Sequence, residues 1–210
     1  THPGYHGFKF NTSKNITLEE DLKRRDLTIN AMAKDANGLI IDPYNGLSDI
    51  KNRILKHVSE AFNEDPVRVL RTAKFAARYH QHGFKVAEKT MYFMESMVKN
   101  NEIDELAPDR VWKETEEVLN NPNPHIYFRV LKECNALSRI YPEFTKTKDS
   151  SNAQKNPHKS EINLDALELS VEITNQAEVH FVVMLFTDHD LCSANYTQKK
   201  HYNVIQNLTR

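Results

Sequence analysis

Between Asn63 and Gly83 the chain can hardly be anything but helix. Asp65 is a suitable N-cap, Pro66 fits the first helical position, and no breaker follows until Gly83. At about 100° per residue, Val69, Leu70, Ala73, Ala76 and Ala77 gather on one side, a face that can be buried. Arg68, Arg71, Lys74 and Arg78, three or four residues apart, run down the other side. A packed helix with a ladder of cations beginning at a carboxylate can hold a polyanion and also recognise a polar group.

The remaining punctuation favours a mainly α chain, since only 5 of 210 residues are glycine. Tyr5 to Phe10 alternates like a short strand, and Thr17-Leu18-Glu19-Glu20 is a capping-box pattern opening a helix through Leu22. Asp26 is placed to cap a second helix from Leu27 to Lys34, and Leu39 to Ile41 reads as a brief strand before the turn Asp42-Pro43-Tyr44-Asn45-Gly46. Further helices are predicted over Leu47 to Asn52, Asp65 to His82, Val86 to Asn100, Pro108 to Leu119 and Pro124 to Cys134. Thr145 to Lys159 has linker composition. Helical spacing returns over Asn163 to Thr174 and Val179 to Asp188, then weakly over Gln198 to Leu208.

A net charge of -1 supplies no global basic field, so an anion site must come from local clustering. Cys134 and Cys192 show no pairing pattern, which suits a reducing cytoplasm, and the longest apolar run, Phe181 to Phe186, is far too short for a membrane span. The first residue is Thr1, as expected of a fragment or a processed product.

Two clusters carry candidate chemistry. Lys23-Arg24-Arg25-Asp26 sets three cations and a carboxylate at a junction between short helices. Arginine forks grip phosphates and a carboxylate accepts from ribose hydroxyls, although a solvated basic loop ending in an N-cap has the same composition. Asp65 and Arg68 lie one helical step apart, an acceptor beside a donor fork, which is what reading a base edge requires; a cap and a wet helix face also fit. Trp112, Tyr127 and Phe128 sit among apolar neighbours and read as core.

Four segments in order and register resemble the bacterial class II tRNA nucleotidyltransferases, the CCA-adding enzymes, in their multifunctional form with a fused HD-type phosphohydrolase region. The segments are Leu22-Lys23-Arg24-Arg25-Asp26-Leu27-Thr28-Ile29-Asn30-Ala31-Met32-Ala33, Ile41-Asp42-Pro43-Tyr44-Asn45-Gly46, Arg53-Ile54-Leu55-Lys56-His57-Val58 and Glu64-Asp65-Pro66-Val67-Arg68-Val69-Leu70-Arg71. Poly(A) polymerases of the same branch share the motifs. The resemblance implies that Arg25 and Asp26 handle the triphosphate and select ribose, and that Asp65 and Arg68 recognise CTP and then ATP by Watson–Crick-like hydrogen bonds. It makes Arg71 a further nucleotide-binding residue and places Lys74 where the family usually has arginine.

It also implies Mg²⁺, tRNA as partner and the cytoplasm as compartment. The family's metal-binding Asp-x-Asp, on a strand after a glycine-rich turn, belongs ahead of this region, so no catalytic residue and no metal ligand is assigned here. His189-Asp190 resembles the centre of an HD site, but the histidine expected on the preceding helix is Leu164, and neither His158 nor His180 falls in register.

The expected layout is the C-terminal part of a nucleotidyltransferase α/β head over residues 1–57, then a helical neck and body over 58–143. A linker over 144–160 and a degenerate HD-like region over 161–210 complete it. The rival readings are a non-catalytic nucleotide- or RNA-binding remnant, a poly(A) polymerase and an HD-type phosphatase.

Overall fold

The computed structural model describes residues 16–142, 164–174 and 176–185. The segments predicted over Tyr5–Phe10, Thr145–Lys159 and Gln198–Leu208, together with His158 and His189-Asp190, lie outside them. The chain divides into two compact units, Thr1–Glu143 and Phe144–Arg210.

The first unit opens with α1, Leu18–Lys23, whose capping box is formed: Thr17 Oγ1 accepts from the Glu20 N–H while the Glu20 carboxylate takes the Thr17 N–H. The helix expected from Leu27 to Lys34 is absent. Thr28–Asn30 makes one 3-10 turn, and Ala33–Lys34 is strand β1, paired antiparallel with β2, Ile40–Ile41. Tertiary pairing overrides helix propensity here. The Thr28 N–H donates to the Lys56 carbonyl, the Val58 N–H donates to the Asp26 carbonyl, and Leu27 bridges His57.

A tight turn then brings α2, Gly46–Asn52, back against that 3-10 segment. Both carboxylate oxygens of Asp42 cap it, accepting from the N–H groups of Gly46 (2.7 Å) and Leu47 (2.9 Å). Gly46 is required by proximity, because a Cβ there would sit 2.3 Å from the Thr28 carbonyl oxygen. Buried Asp49 accepts from the Thr28 hydroxyl at 2.7 Å. Together these contacts fix the position of the segment that carries Arg24, Arg25 and Asp26.

Strand β3, Ile54–Leu55, pairs parallel with β4, Lys85–Val86. That pairing removes the first residues of the helix predicted from Val86, so α4 runs Glu88–Lys99. Between them lies α3, Val67–Arg78, with a 3-10 turn at His80–His82 and Gly83 at φ 77° closing it. The expected apolar face is buried: Val69, Leu70, Ala73 and Ala77 are at 0% exposure.

α3 packs against α5, Pro108–Leu119, and α6, Pro124–Glu133, each of which starts with proline in its first turn. Tyr127 and Phe128 are fully buried, as their neighbours suggested, and Trp112 is half-buried. Each large side chain interred in this core contributes about 1.5–3 kcal/mol before entropy is charged. α7, Leu137–Ile140, ends the unit and delivers Tyr141 to Thr115 and Tyr127.

The second unit shows α8, Leu164–Ile173, and α9, Ala177–Leu185, packed as a hairpin over Leu167 and Phe181. His180 is buried with Nε2 at 2.9 Å from the Thr174 carbonyl oxygen.

Candidate functional site

Three of the four cations predicted to run down one side of α3 are each held by a group from elsewhere in the first unit. Arg68 reaches back past the start of its helix. Its Nη1 donates to the Ala61 carbonyl and its Nη2 to the Arg24 carbonyl at 2.6 Å. Burial is the largest influence on this guanidinium and leaves its pKa below the ordinary arginine value, despite the pull of Asp65, Asp26 and Glu64.

Arg71, one turn on, donates Nε to Asp26 Oδ2 at 2.7 Å and stacks over Phe75 at 5.8 Å. Lys74 is turned toward α5, where it pairs with Glu114 and, at 2.7 Å, with Glu117. The bond from Lys74 holds the Glu117 carboxyl below its ordinary pKa.

Asp26 is the best satisfied of these groups. Only 6% exposed, it accepts from the Leu27 N–H (2.8 Å), Asn30 Nδ2 (3.1 Å) and Arg71. Burial alone would raise its carboxyl, but the Arg71 charge and these hydrogen bonds outweigh it and leave the pKa below the usual value. It caps no helix, since its side chain serves the very next N–H and an arginine from α3. Arg25, by contrast, is exposed and pairs with Asp21 within α1, and Arg24 pairs with Glu64 at 3.0 Å.

Asp65 does begin α3 as expected: extended itself, it accepts the Val67 N–H at Oδ1 (3.1 Å). Its other oxygen, Oδ2, accepts from Arg110 Nη2 at 2.8 Å. Asp65 and Arg68 therefore lie one turn apart, joined through the backbone by the Arg68 N–H donating to the Asp65 carbonyl at 3.0 Å, with no bond between their side chains among the described contacts. Arg68 has used two of the five N–H donors of a guanidinium, and the other three make no hydrogen bond to a described residue.

Arg110, Glu114 and Glu117 escaped the sequence reading. Their signal is visible in retrospect: on the predicted helix from Pro108 they stand four and three residues apart, cation first and carboxylates after. That order is the inverse of Asp65 followed by Lys74. Complementary charge order shows that two helices can pair, but not which two will.

No group of three or more His, Cys, Asp or Glu side chains able to hold a metal occurs among the described residues. The oxygens of Asp26 and Asp65 are taken by arginines and backbone N–H groups, so this cluster does not fit Mg²⁺. Asp-x-Asp spacing does occur once, at Asp188-His189-Asp190, outside the described residues and far from any glycine-rich turn.

Comparison with known proteins agrees with the motifs. Residues 4–56 match the model of the poly A polymerase head domain, and residues 83–147 match a probable RNA and SrmB-binding site of polymerase A. Asp65, Arg68, Arg71 and Lys74 fall between the two.

A CCA-adding enzyme of Buchnera aphidicola is 61% identical over 140 residues, covering 67% of this chain and 33% of the relative. A multifunctional CCA protein of Teredinibacter turnerae is 47% identical over 196 residues, covering 91% of this chain and 46% of the relative. The chain thus spans a third to just under half of the length of these two curated relatives. A solved tRNA-processing enzyme with CTP superposes with a TM-score of 0.65 at 26% identity, over 92% of this chain and 51% of that one. In its motifs, its identity to these relatives and its fold, the chain is similar to the CCA-adding enzymes over the residues matched, and its residues 4–56 are similar to a poly A polymerase head domain.

Proposed function

We propose that this chain forms the nucleotide-selecting and tRNA-supporting part of a CCA-adding nucleotidyltransferase, an enzyme that adds C, C and A to the tRNA 3′ end from CTP and ATP. The observation that carries this reading is the Arg71–Asp26 bond. It ties the basic segment to α3: Asp26 is bonded to Arg71, and one turn earlier Arg68 is bonded to the Arg24 carbonyl and, through its backbone N–H, to Asp65.

In this reading Asp65 accepts from, and Arg68 donates to, the edge of the incoming base. Both are half-buried and braced by neighbours, which lowers the entropy lost when a base is read. Arg25 remains exposed for the triphosphate once it parts from Asp21. Mg²⁺ supplies charge neutralisation in phosphoryl transfer, but no residue of this cluster is assigned to hold it and no step is routed through it. tRNA is the proposed partner and the cytoplasm the proposed compartment; no helix among the described residues is long and apolar enough to cross a membrane. The division into a head portion up to residue 57, a neck and body to 143, a linker to 160 and a C-terminal HD-like region belongs to the same proposal.

The test is selective binding. Titration calorimetry of the chain with CTP, ATP, UTP and GTP should show preference for the first two, lost in Asp65→Ala and Arg68→Ala. Unchanged discrimination in both variants would sink the idea of a protein template. Product length on a tRNA primer separates the neighbouring activities: three added nucleotides for CCA addition, a long tail for a poly(A) polymerase. With tight, selective binding and no product, the non-catalytic reading holds.

A further inference from the structure

A second concentration of positive charge lies one loop away from the nucleotide residues, and nucleotide selection makes no use of it. The end of α1, the segment after β3 and the start of α4 enclose a cleft of about 600 Å³. Lys23, Lys56 and Lys89 line it from these three elements. All three are exposed, and none forms a salt bridge with a described residue. Glu60 is the one unpaired carboxylate in the lining, because Glu64 is occupied by Arg24. In a chain of net charge -1 such an excess is local.

Aromatic rings stand among these cations. His57, 6% exposed, is bonded through Nδ1 to Thr90 at 2.8 Å and meets the half-buried Phe93 ring edge-on at 4.6 Å. Tyr92, beside Phe93 on α4 but outside the cleft wall, lies 6.5 Å from that ring and is 68% exposed. Burial first, then the charges of Lys89 and Lys56, hold the His57 imidazole below its ordinary pKa, so a buried group already registers the positive potential of the cleft. Cations that track a backbone, interleaved with ring faces, are the two components of a single-strand groove. A point anion needs no aromatic ring. An acidic peptide offers carboxylates but no bases to stack.

We propose that this cleft is a single-stranded RNA groove separate from the base-reading pair: Lys23, Lys56 and Lys89 take backbone phosphates, Phe93 offers a stacking face within it, and the neighbouring exposed Tyr92 offers one to a base leaving it. The proposal rests on the reading of the chain as one that handles tRNA, and it names a cleft and residues to which neither the motifs nor the RNA-binding match over residues 83–147 assigns a role. The groove also touches the nucleotide residues from behind. Arg24 and Ala61 line it, and it is their carbonyls that hold the Arg68 guanidinium. RNA in the groove therefore bears on the two loops that aim Arg68.

The experiment is fluorescence anisotropy of a labelled oligocytidylate of about eight nucleotides, within the site size of such grooves, with the whole 210-residue chain. Lys56→Gln/Lys89→Gln should bind at least tenfold more weakly, and its slope of log affinity against log salt should flatten by about 1.4, at about 0.7 per lost phosphate contact. Phe93→Leu should weaken binding about tenfold and leave the slope alone, because stacking releases no counterions. Exposed Tyr92→Ala serves the same purpose if Phe93→Leu fails to fold.

CTP binding should persist in all of these, and oligocytidylate binding should persist in Asp65→Ala. Wild-type affinity and salt slope in the double lysine variant would overturn the groove, as would equal competition by polyglutamate of matched charge. Oligocytidylate bound normally while CTP selectivity is absent would overturn the nucleotide reading and leave the groove standing.

Discussion

Arg110 on α5 donates to Asp65 Oδ2 at 2.8 Å, so the carboxylate that stands at the start of α3 is held from another helix. The bond is partly shielded, with the two side chains 30% and 17% exposed. It leaves Asp65 Oδ1 on the Val67 N–H and fixes the plane of the carboxylate. Arg110→Ala should therefore destabilise the chain by about 1–3 kcal/mol, the cost of an acceptor left without its charged donor. In nucleotide titrations it should also narrow the preference for CTP over UTP. Arg110→Lys, lacking the planar fork, should recover most of the stability and little of the selectivity. Urea denaturation and calorimetry on the two variants measure the two effects separately.

Asp26 makes stability depend on acid. Its folded pKa is depressed, after burial is outweighed by Arg71 and the hydrogen bonds of Asn30 and Leu27. A depressed carboxylate contributes stability that is fully present above its unfolded value, about 3.9, and lost as pH falls through the lower folded value. The gap in unfolding free energy between wild type and Asp26→Asn should thus be widest above about pH 5 and should shrink steadily below about pH 4. A gap that is constant or widens on acidification would show that the Arg71–Asp26 pair does not carry the linkage. Urea midpoints measured across that range decide it.

What could be read in advance follows the range of the forces involved. The bounds of α5, the capping box of α1 and the buried face of α3 depend on residues within a turn or two of one another, and all could be placed from the order of residues alone. The stretch after Asp26 could not. Its backbone groups are claimed by Lys56 and Val58, some thirty residues away, and a residue-by-residue reading sees only a cap followed by helix formers. The same holds for the site. Asp65 and Arg68 were conspicuous as neighbours on one helix, whereas Arg110, Glu114 and Glu117 enter through the packing of α5 on α3. Lys56, quoted only as part of a motif segment, and Lys89 were given no role for the same reason, as β3 and β4 pair to bring them to one cleft.

Gly46 is where that long-range placement is most sensitive. Any Cβ would meet the Thr28 carbonyl at 2.3 Å and Met32 Sδ at 2.9 Å, and the first of these is backbone that cannot swing aside. Gly46→Ala should push α2 off the Thr28–Asn30 turn, strain the Asp49–Thr28 bond and displace the segment carrying Asp26. Overpacking of this kind typically costs about 1–3 kcal/mol. CTP affinity should fall with it, while Gly38→Ala, in an exposed turn at φ 88°, should cost only stability. Thermal melts paired with nucleotide titrations of both variants compare the two glycines.

Lys74 couples α3 to α5 through two carboxylates of unequal burial. Its own side chain is 12% exposed, that of Glu114 10% and that of Glu117 51%. Exposed Glu117 contributes little, whereas Glu114 left alone is a charge stranded in a poor solvent. Lys74→Met should accordingly cost roughly 3 kcal/mol, most of it from Glu114. Adding Glu114→Gln should return a large part of that loss, because a neutral amide tolerates the site; adding Glu117→Gln should not. The Glu117 carboxyl, now held down chiefly by the Lys74 hydrogen bond, should move up toward its ordinary value in Lys74→Met, as followed by NMR titration. If Glu114→Gln and Glu117→Gln rescued Lys74→Met equally, Lys74 would be anchored by surface charge alone, and the tie between the two helices would have to lie in their apolar faces.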